Sequence, residues 1–329
     1  MPGTAASCAP DLSLPVAVPE NDRVEDRFRV GFLHPRFWPT WLGAGLLWLL
    51  ARAPNGIRLG LARLLATAYA RLHPKRPQRV RENLLLCFPD LDQAAREAVC
   101  RRVLLLQAYA LVDLGRQWFL PRARILDSIR VEGQEHLEAA RAQGGVTLLT
   151  GHSAGLEWLA AFSSLHFQGS SIYKPFKGNP LLDWLFTRAR TRFSGRVFLR
   201  RHGLRPHLRV LRQGGAFFYI ADEDLGEANG AFVPFFGAPK KNTLALLGRI
   251  RQMSGQPVLP CFGRVEPEQG RYCLTFLPLC HDVPVDAAES ARVTNRLLEQ
   301  MIAPDPAQYM WQLKLFKTTD PDQEQGGPE

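Results

Sequence analysis

Residues 146–157, VTLLTGHSAGLE, hold the strongest fold signal in the chain. The run Val146–Thr150 is rich in β-branched and leucine side chains, which is typical of a buried strand. Gly151 permits the backbone to turn, and Ser153 is a candidate N-cap for a helix that starts there. A buried strand followed at once by a helix is the building unit of α/β folds, so the stretch predicts that class.

The same stretch carries a histidine and a glutamate with four residues between them. His152 follows the strand and Glu157 lies in the next helix, so their side chains can meet at one mouth of the sheet. That mouth is where ligands bind in open α/β sheets. A histidine oriented by a carboxylate is a general base near neutral pH. The spacing is short enough to occur by chance, and a partly buried histidine beside a solvent-facing glutamate is the alternative.

Segments with strand and helix patterns alternate over the rest of the chain. Residues 80–145 are predicted mostly helical. Candidate strands follow at 171–173, 196–199, 216–221, 257–264 and 271–277, and candidate helices at 205–212, 243–254 and 287–302. The alternation predicts one α/β domain with a central, mostly parallel sheet flanked by helices.

The N-terminal region has a pattern of its own. Residues 37–51 are an uncharged run rich in tryptophan and leucine, shorter than the roughly 20 residues of a spanning helix. Whether the run spans the bilayer or enters one leaflet is open. Residues 57–72 place apolar side chains at helical spacing beside arginines, as in helices that lie on membrane surfaces. We therefore predict a hydrophobic membrane-anchoring helix with the following domain on the cytoplasmic side. Buried helices of a soluble protein are the alternative.

These signals divide the chain into four parts. Residues 1–30 are expected to be a mobile tail, 31–73 the membrane-anchoring helices, 74–318 the α/β domain and 319–329 a disordered tail. The N-terminus shows no signal-peptide pattern, so no cleavable signal is expected. The six cysteines lack metal-type spacing, which predicts neither a zinc site nor a disulfide framework.

The charge balance favours an anionic partner. The chain has 41 Lys and Arg residues against 31 Asp and Glu, a formal net charge of +10. Between Asp183 and Asp222 lie nine arginines and no acidic residue. A solvated surface normally mixes its signs, so this stretch predicts an anionic ligand; a basic surface paired elsewhere in the fold is the alternative. No helix-turn-helix, zinc module or stacking pattern accompanies the arginines, so nucleic acid is not expected.

A second polar cluster follows the predicted strand at 216–221 and comprises Asp222, Asp224 and Gly226. Asp-x-Asp can hold manganese or magnesium, which would suit a metal-dependent glycosyltransferase. It can also be a polar floor that orients a basic group of the site, or a plain strand-end turn. The aromatic run at 232–237, FVPFFG, either lines an apolar channel or belongs to the core.

Several blocks in one order carry a family resemblance over about residues 28–318. They are HPRFWPTWLG, RVRENLLLCFP, GHSAGLE, YKPFKGNPLLDW, TRARTRF, ADEDLG, FVPFFG and QYMWQLKLFK. The sequence resembles the late, or secondary, acyltransferases of lipid A biosynthesis of the lauroyl and myristoyl type, which implies a glycerol-phosphate-acyltransferase-like fold. Family members are inner-membrane proteins of Gram-negative bacteria. They transfer an acyl chain from acyl carrier protein to the hydroxyl of a 3-hydroxyacyl chain on the lipid A precursor.

The resemblance implies roles for particular residues. The family's His-x4-acid motif falls on His152 and Glu157, which implies that Glu157 holds the imidazole of a general base. Its arginine block falls on Arg190 and Arg192, as contacts to the oxyanion or to phosphate. Asp222, Asp224 and Gly226 fall on its Asp-x-Asp-x-Gly block and are expected to support the site.

The implied chemistry is direct transfer, with no acyl-enzyme, no cofactor and no metal ion. The implied partners are acyl carrier protein, the lipid A precursor and inner-membrane lipid. Lys174 stands where many lauroyl-type members have arginine, and only Thr243 remains of a Thr-Thr pair, so the donor chain length is left open. A glycerol-phosphate or lysophospholipid acyltransferase is the nearest alternative. A metal-dependent glycosyltransferase and a non-catalytic membrane-surface binder are the others.

Overall fold

The computed structural model describes residues 27–318. The predicted terminal tails lie outside these residues, except for the last four residues of the tail expected at 1–30. The first third of the described chain, about residues 27–126, is mostly helical. Its helices are α1 (Trp38–Leu50), α2 (Asn55–Leu72), α3 (Lys75–Cys87), α4 (Gln93–Phe119) and α5 (Arg122–Leu126).

A seven-stranded sheet forms the centre of the molecule. Its strands are β1 (Ile129–Glu132), β2 (Val146–Thr150), β3 (Gly169–Tyr173), β4 (Arg196–Leu199), β5 (Ala216–Ile220), β8 (Val258–Glu266) and β9 (Arg271–Phe276), with a hairpin of β6 (Gly230–Phe235) and β7 (Ala238–Leu244) outside it. The spatial order is β1-β9-β8-β2-β5-β3-β4. Every neighbouring pair is parallel except β8 and β9. The predicted α/β class with a mostly parallel sheet is confirmed.

Helices cover both faces of this sheet. They are α6 (Gln134–Gln143), α7 (Leu156–His166), α8 (Pro180–Arg190), α9 (Arg205–Arg212), α10 (Leu247–Ser254) and α11 (Ala287–Ile302). All five residues of β2 are buried, as expected for a central parallel strand. Leu148 packs with residues of α6 and α7 on one face, whereas Leu149 packs with residues of α9 and α10 on the other.

The structure differs from the sequence prediction at β1, at the β6–β7 hairpin and at the starts of α10 and α7. Strand β1 and the β6–β7 hairpin lie in segments for which no strand was predicted. The helix predicted at 243–254 begins only at Leu247, because Thr243 and Leu244 pair with β6. Ser153 is not an N-cap, because it forms an isolated bridge with Tyr309, and α7 begins after Gly155 instead.

The predicted N-terminal apolar helix is present as α1, and several of its large side chains are exposed. Leu42, Leu46, Trp48 and Leu49 have between 44% and 74% of their surface accessible. Within residues 27–318, no helix is both long and apolar enough to cross a membrane. Trp41, also on α1, is partly buried and meets Trp184 of α8, with ring centroids 6.4 Å apart.

Candidate active site

The pairing of the two central parallel strands sets the positions of the site's main groups. Val146 to Thr150 of β2 pair in order with Ala216 to Ile220 of β5, so Thr150 lies opposite Ile220. Continuing that register by two residues places His152 opposite Asp222. Both residues therefore leave the sheet at its carboxyl edge, side by side.

His152 and Asp222 make two hydrogen bonds. The backbone N–H of His152 donates to Oδ2 of Asp222 at 2.6 Å, and Nδ1 lies 2.7 Å from Oδ1. Because an ionised carboxylate can only accept, Nδ1 carries a proton in this pair. The neutral imidazole then presents an unprotonated Nε2, which is the nitrogen available to a substrate.

The electrostatics of the pair favour a basic imidazole. Burial alone would lower the pKa of His152, but the charge and the hydrogen bond of Asp222 outweigh it and raise this pKa above its ordinary value. Burial would likewise raise the pKa of Asp222, and the adjacent His152 holds it below the usual range instead. The Asp222 side chain is fully buried and that of His152 is 18% exposed, so the carboxylate is fixed while the base reaches solvent.

The C-terminal segment at 308–310 braces the turn that carries His152. The backbone N–H of Met310 donates to the carbonyl of His152, and that of Ala154 donates to the carbonyl of Gln308, both at 2.9 Å. A side chain at Gly151 would lie 3.1 Å from the Tyr309 ring and 3.2 Å from Asp222 Oδ2. A side chain at Gly151 would therefore press on the Tyr309 ring and on Asp222. The bracing segment is part of the block QYMWQLKLFK, for which sequence analysis proposed no site role.

Glu157 does not hold His152, and here the structure corrects the predicted pair. Its carboxylate receives hydrogen bonds from Nε of Arg190, at 3.2 Å, and from Nη2 of the same residue. Glu157 lies in the first turn of α7 and Arg190 in the last turn of α8. Asp222 already occupies Nδ1 of the imidazole, so the orienting carboxylate comes from the neighbouring strand and not from the following helix.

Arg190 and Arg192 are placed differently. Arg190 lines the cleft beside His152 and lies over the rings of Tyr173 and Phe186, at 5.6 and 5.5 Å. Nη1 of Arg192 donates to the carbonyls of Gln117 and Trp118, near the end of α4, at 3.0 and 3.1 Å. Burial lowers the pKa of Arg192, and Arg188 lowers it further. The Arg192 guanidinium thus holds a helix end, which is not the ligand contact that was expected.

Asp224 is saturated by donors of the protein itself. The donors to its two oxygens are the backbone N–H groups of Gly226, Lys317 and Thr318, the Thr318 hydroxyl and the Asn242 amide, at 2.6–3.1 Å. Burial would raise the pKa of Asp224, but these bonds hold it below the usual range. Gly226 has φ +90°, which glycine adopts without strain.

The Asp-x-Asp motif is therefore a support of the site. Asp222 orients the imidazole of His152, which agrees with one of the three interpretations of the motif. Asp224 accepts hydrogen bonds from residues 317–318 and from Asn242 of the β6–β7 hairpin, and so holds these segments next to the site. A metal ion would have to displace the bonds that fill both carboxylates. Among residues 27–318, no group of three or more His, Cys, Asp or Glu is placed to hold one.

Lys241 is a buried lysine that sequence analysis did not identify. It lies on β7 with 1% of its surface exposed, its ammonium 5.3 Å from the Phe235 ring. Burial lowers its pKa, while Asp222 and Asp224 act in the opposite direction. Phe235 is fully buried, so at least this part of the aromatic run belongs to the core.

His152 opens into a cleft of about 750 Å³. Most of its wall is apolar and comes from α4, α7, α8 and the strand ends. These residues include Ala110, Leu111, Leu114, Leu156, Trp158, Ile172, Phe176, Phe186, Phe218 and Leu246. The charged side chains at the cleft include Glu157, Lys174, Arg190, Arg200 and Glu223. The cleft thus combines a basic imidazole, cations and a mostly apolar wall.

Comparison with known proteins points to one group. Residues 25–318 match the family model described as bacterial lipid A biosynthesis acyltransferase. The chain is 34% identical over 294 residues to a lipid A biosynthesis lauroyltransferase of Escherichia coli, covering 89% of this chain and 95% of that protein. It is 33% identical over 298 residues to a lipid A biosynthesis acyltransferase of Haemophilus influenzae, covering 89% and 92%. A lipid A biosynthesis myristoyltransferase of Escherichia coli is 29% identical over 303 residues, covering 92% and 94%.

Proposed function

Because the chain belongs to the bacterial lipid A biosynthesis acyltransferase family, we propose that it takes a lauroyl- or myristoyl-class chain from acyl carrier protein. The chain is an acyltransferase that acts in lipid A biosynthesis, and the lipid A precursor is its acceptor. The specific proposal adds the donor and the attacking group, the hydroxyl of a 3-hydroxyacyl chain on that precursor. The His152–Asp222 pair at the mouth of an apolar cleft is the observation that carries it.

In this proposal, His152 is the general base. Nε2 takes the proton of the acceptor hydroxyl while its oxygen attacks the carbonyl carbon of the donor thioester. Asp222 holds the imidazole in the Nδ1–H tautomer and stabilises the imidazolium that forms. When the tetrahedral intermediate collapses, the new ester forms, the carbon–sulfur bond breaks, and the imidazolium returns its proton to the thiolate. No serine or cysteine nucleophile is needed.

Arg190 stabilises the oxyanion of the tetrahedral intermediate, and Glu157 positions Arg190. The backbone N–H groups of His152, Ala154, Gly155 and Leu156 are already bonded within the protein. These four N–H groups are therefore unavailable to an oxyanion, and the Arg190 guanidinium is the proposed donor. Arg190 lines the same cleft as His152 and is anchored through Glu157.

The apolar wall of the cleft binds the acyl chain, and α1 with α2 holds the protein at the inner membrane, the catalytic domain facing the cytoplasm. The exposed Leu42, Leu46 and Leu49 of α1 support association with the bilayer. The acidic donor protein and the anionic acceptor both suit a chain of net charge +10.

Transfer assays with purified full-length protein test the proposal. Lauroyl and myristoyl carrier protein are offered with three acceptors, namely a lipid A precursor, glycerol 3-phosphate and a lysophospholipid. We expect transfer to the lipid A precursor and a loss of about 10²–10⁴ in rate for His152→Ala, with the exposed His73→Ala as control. Preferred transfer to glycerol 3-phosphate or lysophospholipid would favour a related acyltransferase activity. A His152→Ala protein that keeps most of its activity would exclude His152 as the general base.

A further inference from the structure

A pocket of about 560 Å³ lies on the side of α4 that faces away from the catalytic cleft. Arg116 and Leu120 line it, about half a turn around the helix from Leu111 and Leu114, which line the cleft. Five arginines from separate elements converge there, and we call this site the arginine pocket. They are Arg52, Arg58, Arg116, Arg124 and Arg271.

The charges of this pocket are only partly compensated from within. Arg58 and Arg116 hold the fully buried Asp113, at 2.9 and 3.3 Å. Asp127 is the single carboxylate in the pocket wall. Within residues 27–318, no carboxylate lies within ion-pairing distance of the remaining three arginines. These are Arg52, Arg124 and Arg271, all of them exposed.

The buried part of the pocket is a rigid base. Asp113 also accepts from the Tyr272 hydroxyl at 3.0 Å, and Arg116 donates to the carbonyl of Gly270 at 3.0 Å. Two guanidinium groups are thereby fixed at the pocket without rotamer freedom to lose on binding. Arg58 and Arg116 also donate to other side chains of the protein, Arg58 to Asn55 and Arg116 to Ser128. The exposed Arg52, Arg124 and Arg271 therefore supply the accessible forks. Guanidinium forks match the oxygen pairs of a phosphate, and three accessible forks beside two fixed cations favour a phosphate over a single carboxylate.

An exposed apolar surface adjoins the pocket. Helix α1 ends at Leu50, and the next two residues, Ala51 and Arg52, line the pocket. The Arg52 guanidinium lies 3.9 Å from the centre of the exposed Trp48 ring. Leu46 and Leu49 are exposed on the same helix. The surface beside the cations therefore suits a hydrocarbon tail.

We propose that the arginine pocket binds the phosphate headgroup of an anionic amphiphile whose alkyl tail lies along α1. The pocket is separated from the catalytic cleft by a wall that includes Trp158, which lines the cleft and has the Arg116 guanidinium 5.4 Å from its ring. A lipid headgroup bound here would hold the protein at the bilayer, with the catalytic cleft on the other side of α4.

The binding test uses monomeric short-chain lipids in calorimetry with the full-length protein. Dihexanoyl phosphatidic acid should bind, dihexanoyl phosphatidylcholine should not, and inorganic phosphate should bind more weakly than phosphatidic acid. The double variant Arg124→Gln/Arg271→Gln should lose about tenfold or more in affinity, since each charge-assisted contact is worth more than a neutral one. Arg58 and Arg116 stay unchanged, because removing either would take away one of the two cations that compensate the buried Asp113.

The matched control is Arg249→Gln/Arg292→Gln, which removes the same charge from the exposed surface of α10 and α11. It should bind phosphatidic acid within about twofold of the unchanged protein. An equal loss of affinity for phosphatidic acid in both double variants would overturn the proposed binding site, because the loss would then follow from net charge alone. If phosphatidylcholine or inorganic phosphate bound as tightly as phosphatidic acid, the proposal that the pocket recognises the phosphate headgroup of an amphiphile would be overturned.

The source of the phosphate follows from two further measurements. A bilayer lipid as occupant predicts that the pocket variant loses binding to phosphatidylcholine vesicles containing phosphatidic acid, with an unchanged KM for acceptor in neutral detergent. If the occupant is instead the phosphate of the acceptor, the pocket variant should show a raised KM for acceptor in neutral detergent. The His152→Ala protein should bind dihexanoyl phosphatidic acid as tightly as the unchanged protein does. Binding at the arginine pocket is therefore tested independently of the proposed transfer reaction.

Discussion

Hydrogen bonding decides, residue by residue, which carboxylate serves the imidazole. The two oxygens of Asp222 are taken by two groups of His152, so the carboxylate cannot turn away from the ring. Glu157 and Arg190 form their own pair on the opposing ends of two helices. One acid therefore tunes a base, and the other holds a cation. Both ion pairs border the same cleft, as the proposed transfer requires.

Asp224 is predicted to be a stability residue. Asp224→Ala removes the acceptor for five donors from the 226, 242 and 317–318 segments. We expect a loss of about 2–4 kcal/mol in the free energy of unfolding, because buried donors are left unsatisfied. Urea unfolding measures it, with the exposed Asp282→Ala as control. A change below about 0.5 kcal/mol would contradict the role.

The same residue gives a pH dependence of known sign. Hydrogen bonding holds the pKa of folded Asp224 below its ordinary value of about 3.9. Its contribution is therefore present above that ordinary value and is lost as the pH falls through the folded pKa. The difference in unfolding free energy between the unchanged protein and Asp224→Ala should shrink below about pH 4, and a difference that grows on acidification would contradict the assignment.

At the scale of elements, α7 docks on β8 through two glycines. The N–H of Gly155 donates to the carbonyl of Gly263 at 3.2 Å. A side chain at Gly155 would lie 2.4 Å from a backbone carbon of Gly263, and one at Gly263 would lie 2.5 Å from the Gly155 carbonyl oxygen. This crossing sets the start of the helix that carries Glu157, and so the position of Arg190.

Two glycine substitutions should change the free energy of unfolding in opposite directions, one at this crossing and one on α1. Gly155→Ala should lower the free energy of unfolding by about 2 kcal/mol or more, because backbone atoms must separate. Gly43→Ala, on α1 where the added methyl meets nothing within 4 Å, should stabilise the protein by up to about 1 kcal/mol through helix propensity. Thermal unfolding of both variants checks the pair. A neutral Gly155→Ala would show that α7 docks otherwise.

Helix α1 is predicted to act on membrane association and not on chemistry. Leu42→Glu/Leu46→Glu places two charges on its exposed face. Flotation with anionic vesicles should show most of the binding lost, while transfer to acceptor dispersed in neutral detergent stays within about twofold. The double variant Leu64→Gln/Leu72→Gln on α2 shows how much that helix contributes. Unchanged flotation of the α1 variant would exclude the anchoring role.

For the whole molecule, the sequence predicted the α/β sheet because its central strands are continuous apolar runs separated by helices. The pairing of the site was not predicted, because the relation between His152 and Asp222 is set by a parallel register between distant segments. The signal available in the sequence was that the apolar runs at 146–150 and 216–221 are each followed within two residues by a polar side chain, His152 and Asp222. The His-x4-Glu spacing drew attention to the wrong carboxylate.

The excess positive charge of the whole chain makes a further prediction. If the donor is the acidic carrier protein, kcat/KM should fall steeply as salt rises from about 20 to 300 mM, because the Debye length shortens over that range. Acyl-pantetheine, a neutral donor, is the control and should respond little. The same response for both donors would argue against a charged encounter.

The pH dependence of kcat/KM tests the central claim most directly. Activity should rise with pH through the raised pKa of His152, since only the neutral imidazole accepts the proton. Asp222→Asn should cost about 10²–10⁴ in rate and move the acid limb of its residual activity to lower pH. Glu157→Gln should lower the rate through Arg190 and lower the midpoint of that limb much less than Asp222→Asn does, as should Glu223→Gln, because both carboxylates raise the pKa of His152 less than Asp222 does. A midpoint that Glu157→Gln shifts and Asp222→Asn leaves in place would contradict the account.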